Sequence, residues 1–316
     1  MNPTNAPAKK PTIAVLIPCY QEEKTISAVV RDFRQALPEA EIYVFDNNCT
    51  DNTAALARAA GAIVRREKRQ GKGFVVATMF DQVDADIFVM VDGDGTYQAA
   101  AVHALLKPIL DGDADITVAC RLQEHAEGAF RDLHIFGNQM VCRIINWMFG
   151  SDLHDIFSGY RAFTREAARL IPITSRGFDV ETELTLQALY RGLVIKEIEA
   201  PYGNRPEGSS SKLKTGSDGF LVLLKLFLMI RSYKPLTVFG SLGIFLFVIG
   251  AIVGVKPTYE FIAFHKVTAV ASAILAPSLV ILSAFSVGLG LLLNSINLRL
   301  LEVEKLVTRP PLQTPR

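Results

Sequence analysis

At 316 residues the chain is long enough for one large domain plus an appendage. Half of its residues are hydrophobic, and that excess collects after about Phe220 rather than spreading evenly. A formal net charge of +1 gives no clustered basic surface for nucleic acid, and four scattered cysteines (Cys19, Cys49, Cys120, Cys142) without CxxC spacing exclude a disulfide framework or zinc site and fit reduced, cytosolic thiols.

Residues 1–11 read as a flexible N-terminal segment. Lys9 and Lys10 precede only a short apolar run, Thr12–Ile17, closed by Pro18, which is too brief for a signal peptide and reads as a buried strand. Further apolar runs follow at Glu41–Phe45, Ala62–Val64, Ile87–Val91 and Ile116–Ala119. Between them Glu23–Leu37, Thr53–Ala60, Phe74–Val83 and Ala100–Leu110 carry apolar residues at helical spacing. This alternation predicts an α/β fold with a mostly parallel sheet covered on both faces and ligands at the C-terminal strand ends. Beyond Arg121 the spacing predicts helices over Leu133–Phe149 and Val180–Tyr190 and short strands over Gly159–Phe163 and Leu193–Ile198. The segment Arg205–Lys212 is a loop by composition.

Gly219–Tyr233 is apolar around most of its circumference, with Asp218, Lys225 and Ser232 forming one polar stripe. It reads as a helix half-sunk in a bilayer surface, the competing reading being a buried core helix. The charge-free stretches Leu236–Val255 and Val267–Ile296 each meet the ~20 residues needed to cross a bilayer, and the second, which is long and carries Pro277, tilts, kinks or runs on into the cytosol. A short linker, Lys256–Lys266, makes them a hairpin. Lys225, Arg231 and Lys234 before it, and Arg299, Lys305 and Arg309 after it, outnumber Lys256 and Lys266 in the turn, which places the large domain on the cytosolic face. The expected organisation is a catalytic α/β domain over 12–216, an interfacial helix over 217–234, a transmembrane hairpin over 235–298 and a cytosolic tail over 299–316. The Pro-rich end, Arg309–Arg316, reads as disordered.

The sharpest chemical signal is Asp92-Gly93-Asp94-Gly95 directly after the fourth apolar run. With a period of two, both carboxylates point the same way and can hold Mg2+ or Mn2+ against a diphosphate, where a plain Asp-Gly turn is the bland reading. Polar clusters close the other strands: Pro18-Cys19-Tyr20-Gln21-Glu22-Glu23 after the first, and Asp46-Asn47-Asn48 with Asp51 after the second. They suit a nucleobase and ribose, and each taken alone would equally serve as a helix N-cap. Gly71-Lys72-Gly73 opens the third helix, where free backbone N–H groups can face an anion.

With these motifs in this order, residues from Thr12 to about Tyr233 resemble family 2 glycosyltransferases of the GT-A fold, in the dolichol-phosphate mannosyltransferase and polyprenyl-phosphate glycosyltransferase branch. Arg121, Asn138, Asp155-x-x-Ser158-Gly159-x-Arg161, Glu183, Arg205-x-x-Gly208-Ser209 and Ser211-Lys212 continue the likeness. The resemblance implies donor contacts by Pro18, Tyr20, Glu22, Asp46, Asp51 and Lys72, with Asp92 and Asp94 on the metal and diphosphate. It implies that Arg121, Arg161, Arg205 and Lys212 gather the donor diphosphate and the acceptor phosphate, with Arg131, Asn138 and Ser158 on the acceptor side. The chain departs from the pattern at Gln21, Asn47, Thr96 and Ala119-Cys120, so UDP and GDP donors both remain open.

The implied reaction is inverting transfer of a hexose from a nucleotide-sugar to a polyprenyl or dolichyl phosphate. The acceptor, with a second pKa of ~6, is largely dianionic and needs little help from a base. Asp94, Arg121 and Arg161 are the expected catalytic set, with Asp155 as acceptor-orienting group, as base, or simply as a backbone cap or a partner of Arg161. The five histidines show no ligand spacing, and Trp147 reads as packing rather than a sugar platform. A processive synthase would carry a Gln-x-x-Arg-Trp motif, which is absent here, and no G-x-G-x-x-G of a dinucleotide-binding oxidoreductase follows the first strand. An idle nucleotide-binding scaffold is the reading from another class. The resemblance also brings an expectation of homo-oligomers formed through the hairpin.

Overall fold

The structure is a computed structural model describing residues 10–121, 129–177, 180–203 and 218–308, without the side chains of 129–136, 218–223, 225, 226, 305 and 308. The chain divides into two units, Met1–Val222 and Leu223–Arg316.

In the first unit, strands β1 (Ile13–Cys19), β2 (Glu41–Asp46), β3 (Ile63–Arg66), β4 (Ile87–Met90), β5 (Ile116–Arg121), β6 (Arg161–Thr164) and β7 (Ile195–Ala200) form one sheet in the order β3-β2-β1-β4-β6-β5-β7. Helices α1 (Ile26–Ala36), α2 (Thr53–Ala59), α3 (Lys72–Gln82), α4 (Val102–Leu110), α5 (Ala129–Phe149), α6 (Arg165–Leu170) and α7 (Val180–Arg191) connect them. The period-two alternation of β1 divides the core: Val15 and Ile17 pack on one face with Val30, Phe33 and Val102, whereas Ala14 and Leu16 pack on the other with Val76, Met79 and Leu184. A central strand buried on both faces has to be apolar throughout, which is why β1 and β4 read as continuous hydrophobic runs.

All pairings are parallel except those of β6, which runs antiparallel between β4 and β5. Met90 pairs with Arg161, so the segment entering β6, Asp155–Tyr160, arrives beside the loop leaving β4, Asp92–Thr96. One reversed strand thus brings together polar motifs more than sixty residues apart in sequence. The start of α3 is held equally closely. A Cβ at Gly71 would stand 1.9 Å from the Arg176 carbonyl oxygen, and one at Gly73 1.9 Å from that of Ser175, so only glycine fits at either. Gly71 also takes φ 136°, which lets the helix begin at Lys72, ahead of the expected Phe74. The short helix α6 was not expected from the sequence, being only six residues long.

The second unit contains the end of α8 (Asp218–Tyr233), then α9 (Pro235–Phe264) and α10 (Val270–Thr308). Both α9 and α10 are long and apolar enough to cross a membrane. The helix α9 runs through Lys256 and Pro257, so the turn is shorter than the expected linker. His265 ends the helix with φ 50°, and Glu260 accepts from Thr268 N at 2.7 Å and Ala269 N at 3.0 Å to start α10. Close helix approach uses small residues: Gly243 lies against Ser283 and Val287, and Gly250 against Ala276 and Leu279. The hydroxyl of Ser286 donates to the Phe239 carbonyl at 2.8 Å, satisfying a polar group inside the pair. Ile244, Phe245, Ile281 and Phe285 face outward, as lipid-facing side chains do. The helix α10 continues past Ile296 to Thr308, and residues 309–316, expected to be disordered, lie outside the described residues.

Candidate active site

The site is assembled at the C-terminal ends of β1, β2 and β4, with the segment entering β6 opposite. After β1 the chain turns at Gln21, whose φ of 59° aims its amide at the loop after β2. Its Nε2 donates to Thr50 Oγ1 at 2.7 Å, and its Oε1 accepts from Thr50 N at 3.0 Å. Gln21 therefore ties the loop after β1 to the loop after β2. Asp46 Oδ1 accepts from Cys49 N at 2.7 Å, and Asp51 accepts from Glu23 N, Thr53 N and Thr53 Oγ1. Burial works to raise the Asp51 pKa, but these hydrogen bonds outweigh it and hold the carboxyl below its ordinary value. The Tyr20 side chain stands exposed above these loops.

Asn47, at a position where the resemblance favours Asp, is buried, and both ends of its amide are used. Nδ2 donates to the carbonyls of Glu67 (3.1 Å) and Arg69 (2.7 Å), while Oδ1 accepts from Gly71 N at 2.8 Å. An aspartate has no hydrogens for the first two bonds, so the amide matches its surroundings. In the same loop Glu67 pairs with Arg69 and Thr78. The Arg69 hydrogen bond, opposed by burial, holds the Glu67 carboxyl down to about 2.

Lys72 reaches from the first turn of α3 to Asp92 Oδ1 at 2.5 Å and to Glu181 Oε1 on α7. Burial alone would lower the ammonium pKa, but Asp92 and then Glu181 raise it above its ordinary value, so the group is charged. Asp94 is buried, with Oδ1 accepting from Thr96 N at 3.1 Å and Thr96 Oγ1 at 2.6 Å. Thr96, where the mannosyltransferases often carry Gln, thus steadies the second carboxylate.

Tyr97 links this loop to the one before β6: its hydroxyl lies 3.2 Å from Ser158 Oγ and accepts from Gly159 N at 3.1 Å. A Cβ on Gly159 would come within 2.3 Å of Asp92 Oδ2, so the two loops are in direct contact. Next to them Arg121 grips Asp155 with both arms, Nε at 2.6 Å and Nη2 at 2.8 Å, and stacks over Tyr202. Burial alone would lower the Arg121 pKa, but the Asp155 carboxylate raises it. The Asp155 backbone N–H donates to Glu197 at 2.8 Å, which fixes the loop further.

The pairing of Asp155 with Arg161, one of the readings left open by the sequence, is not what the structure holds: the partner is Arg121. Arg161 is 1% exposed and spends its donors on Ser158 O (2.8 Å), Ile156 O (2.6 Å) and Thr185 Oγ1 (2.8 Å). Ser158 is likewise buried, and Asn138 Nδ2 donates to His154 O at 2.8 Å behind the same loop. Trp147, expected in core or interfacial packing, is 74% exposed and so is not in the core. Pro18, Glu22, Asp92 and Asp94 come together at the strand ends, whereas the side chain of Arg131, and Arg205 and Lys212 altogether, lie outside the described residues. Glu181, Tyr97 and Glu197 were missed from sequence; the only trace of Glu181 was its place two residues before Glu183 in a helical first turn. Glu183 itself is structural, accepting from Thr174 N at 3.1 Å and Ser175 N at 2.7 Å.

Among the described residues no three His, Cys, Asp or Glu side chains form a complete metal cage. Asp92 and Asp94 nonetheless fit Mg2+ or Mn2+, which take hard carboxylate oxygens from the protein and commonly fill their remaining positions with phosphate oxygens and water.

Comparison with known proteins agrees with this geometry. The glycosyltransferase AglJ of Haloferax volcanii is 35% identical over 82% of this chain and 86% of its own length. A dolichyl-phosphate hexose transferase of the same organism is 31% identical over 61% of this chain and 83% of its own. The crystal structure of glucosyl-3-phosphoglycerate synthase from Mycobacterium tuberculosis, in complex with Mn2+, UDP-glucose and phosphoglyceric acid, matches with a TM-score of 0.56 and 21% identity. That match covers 71% of this chain and 80% of the synthase, and with it the mixed, mostly parallel sheet is of the GT-A kind. Residues 14–171 match the profile of glycosyl transferase family 2, and the chain belongs to that family.

Proposed function

We propose that this enzyme transfers a hexose from a UDP- or GDP-linked donor to a polyprenyl or dolichyl phosphate at a membrane surface, with inversion at the anomeric carbon. The observation that carries the reading is the contact between the Asp92–Asp94 loop and the Asp155–Gly159 loop. Two carboxylates suited to a divalent cation thereby lie next to the cations Lys72 and Arg121. Such a site answers the main difficulty of the reaction, which is to bring two anions together and stabilise the departing diphosphate. The relatives named for transfer to dolichyl or polyprenyl phosphate, and the two apolar helices in the same chain, support a lipid acceptor.

In this reaction an acceptor phosphate oxygen bonds to the anomeric carbon as the bond from that carbon to the donor diphosphate breaks, and the nucleoside diphosphate leaves with the electron pair. Asp46 and Asp51 serve the nucleoside, and Asp92 and Asp94 would hold a divalent cation that neutralises diphosphate charge. Arg121 is the residue for the acceptor phosphate, exchanging one arm of its pair with Asp155 for a phosphate oxygen. Arg161 supports the loop from beneath. Arg231, Lys234 and Arg299, set against Lys256 and Lys266 in the turn, support a cytosolic catalytic domain by the excess of positive charge expected on that side.

The test is a transfer assay with the full chain in nanodiscs, polyprenyl phosphate and a panel of labelled UDP- and GDP-sugars. One donor yielding a lipid-linked product, lost with EDTA and in Asp94→Asn, is the expected result. Nucleotide binding without transfer from any donor would favour the idle scaffold.

A further inference from the structure

Lys72 is held more tightly than charge balance requires. Its side chain is 12% exposed, and one carboxylate would neutralise it, yet it donates to two, Asp92 and Glu181. The arrangement is built from both sides. On one side, buried Asn47 accepts from Gly71 N at 2.8 Å and fixes the residue before Lys72. On the other, buried Glu183 accepts from Ser175 N at 2.7 Å and fixes the backbone against which Gly71 and Gly73 press. The start of α3 is thereby packed directly on backbone that the start of α7 holds in place, and Lys72 stays within reach of Glu181.

Asp92 is the partner with competing work. It is the more exposed carboxylate, 28% against 6% for Glu181, and the one suited to a divalent cation. We infer that Glu181 is a positioning residue of the donor site: it retains Lys72 when Asp92 turns to a divalent cation, and so presents the ammonium to the donor diphosphate. The inference rests on the donor site proposed above. With Asp92, Asp94, Glu181 and Lys72 charged, the group carries a net charge of about −2, which a divalent cation cancels. The diphosphate then meets Lys72 as a cation already in place, so metal and nucleotide favour each other's binding. Without the Glu181 charge, Asp92 is the one anionic partner left to Lys72 among the described residues, and the ammonium competes there with the metal.

The experiment is Mn2+ binding to the full chain in nanodiscs, followed by electron paramagnetic resonance with and without UDP or GDP. In the unaltered protein the nucleotide should tighten Mn2+ binding at least about tenfold, which is a coupling of about 1.4 kcal/mol. Glu181→Gln should lose most of that enhancement with Tm little changed, and Glu181→Asp should recover part of it. Lys72→Met should tighten Mn2+ binding without nucleotide and abolish the enhancement. Adding Glu181→Gln to Lys72→Met should leave the nucleotide's effect on Mn2+ binding as it is in Lys72→Met alone, whatever the lost charge does to Mn2+ binding without nucleotide. Loss of enhancement in Glu181→Gln supports the inference even if no sugar is transferred. Full enhancement in Glu181→Gln, or an equal effect of that change with Lys72 already removed, overturns it even if transfer proceeds. Failure of the unaltered protein to bind either nucleoside diphosphate overturns both the inference and the donor site.

Discussion

Arg161 is a guanidinium taken almost wholly out of water and spent on two backbone carbonyls and one hydroxyl, so burial pushes its pKa down from its ordinary value. A group placed in this way shapes the loop carrying Ser158 and Gly159 rather than meeting a lipid phosphate itself. Its removal leaves buried carbonyls unpaired, a loss of about 3 kcal/mol. Lysine lacks the planar fork, so Arg161→Lys and Arg161→Met should lower Tm alike. A direct grip on phosphate would instead show as normal Tm, a raised acceptor KM and partial rescue by lysine. One residue along, the hydroxyl of Tyr160 is buried and, among the described residues, has no hydrogen-bond partner. Its ring packs edge-on against Phe33 and Tyr97, and that packing survives replacement by phenylalanine. Tyr160→Phe should therefore leave stability unchanged or raise it by about 1 kcal/mol. A clear fall in Tm would show that the hydroxyl has a partner in solution.

The element on which the site depends most is β6. A parallel strand there would deliver Asp155–Gly159 to the opposite end of the sheet, away from Asp92. The contact between the two loops is close enough to test with a single methyl group. Gly159→Ala would set a Cβ 2.3 Å from Asp92 Oδ2, and the carboxylate has to move. A displacement of about an ångström should lower transfer about 100-fold with a near-normal Tm. Unchanged activity would remove Asp92 from the reaction. The strands β1, β2, β4 and β5 were legible because burial on both faces forces an apolar run, and the DxD motif was legible because it follows such a run directly. The direction of β6 was not, since four residues, three buried and one half-buried, carry no mark of orientation. Nor was the Lys72–Glu181 pair, which closes across 109 residues and depends on two glycines whose need shows only in the packed structure. The continuation of α9 past Lys256 was hidden for another reason: Lys256 and Pro257 read as a chain break, although the helix runs on to Phe264.

At the scale of the whole molecule, one chain combines a catalytic unit with two helices suited to a bilayer, and that combination gives the acceptor its expected character. A soluble acceptor would need no such helices, whereas a polyprenyl phosphate presents its headgroup at the membrane surface. The most direct test of this account is the chemical nature of the product made by the full chain in nanodiscs containing polyprenyl phosphate and the active nucleotide-sugar. The account predicts that 31P spectroscopy will show the lipid phosphomonoester converted to a phosphodiester bearing one β-linked hexose, with release of nucleoside diphosphate. An unchanged lipid phosphate, with the sugar passed instead to a water-soluble acceptor or to water, would contradict it.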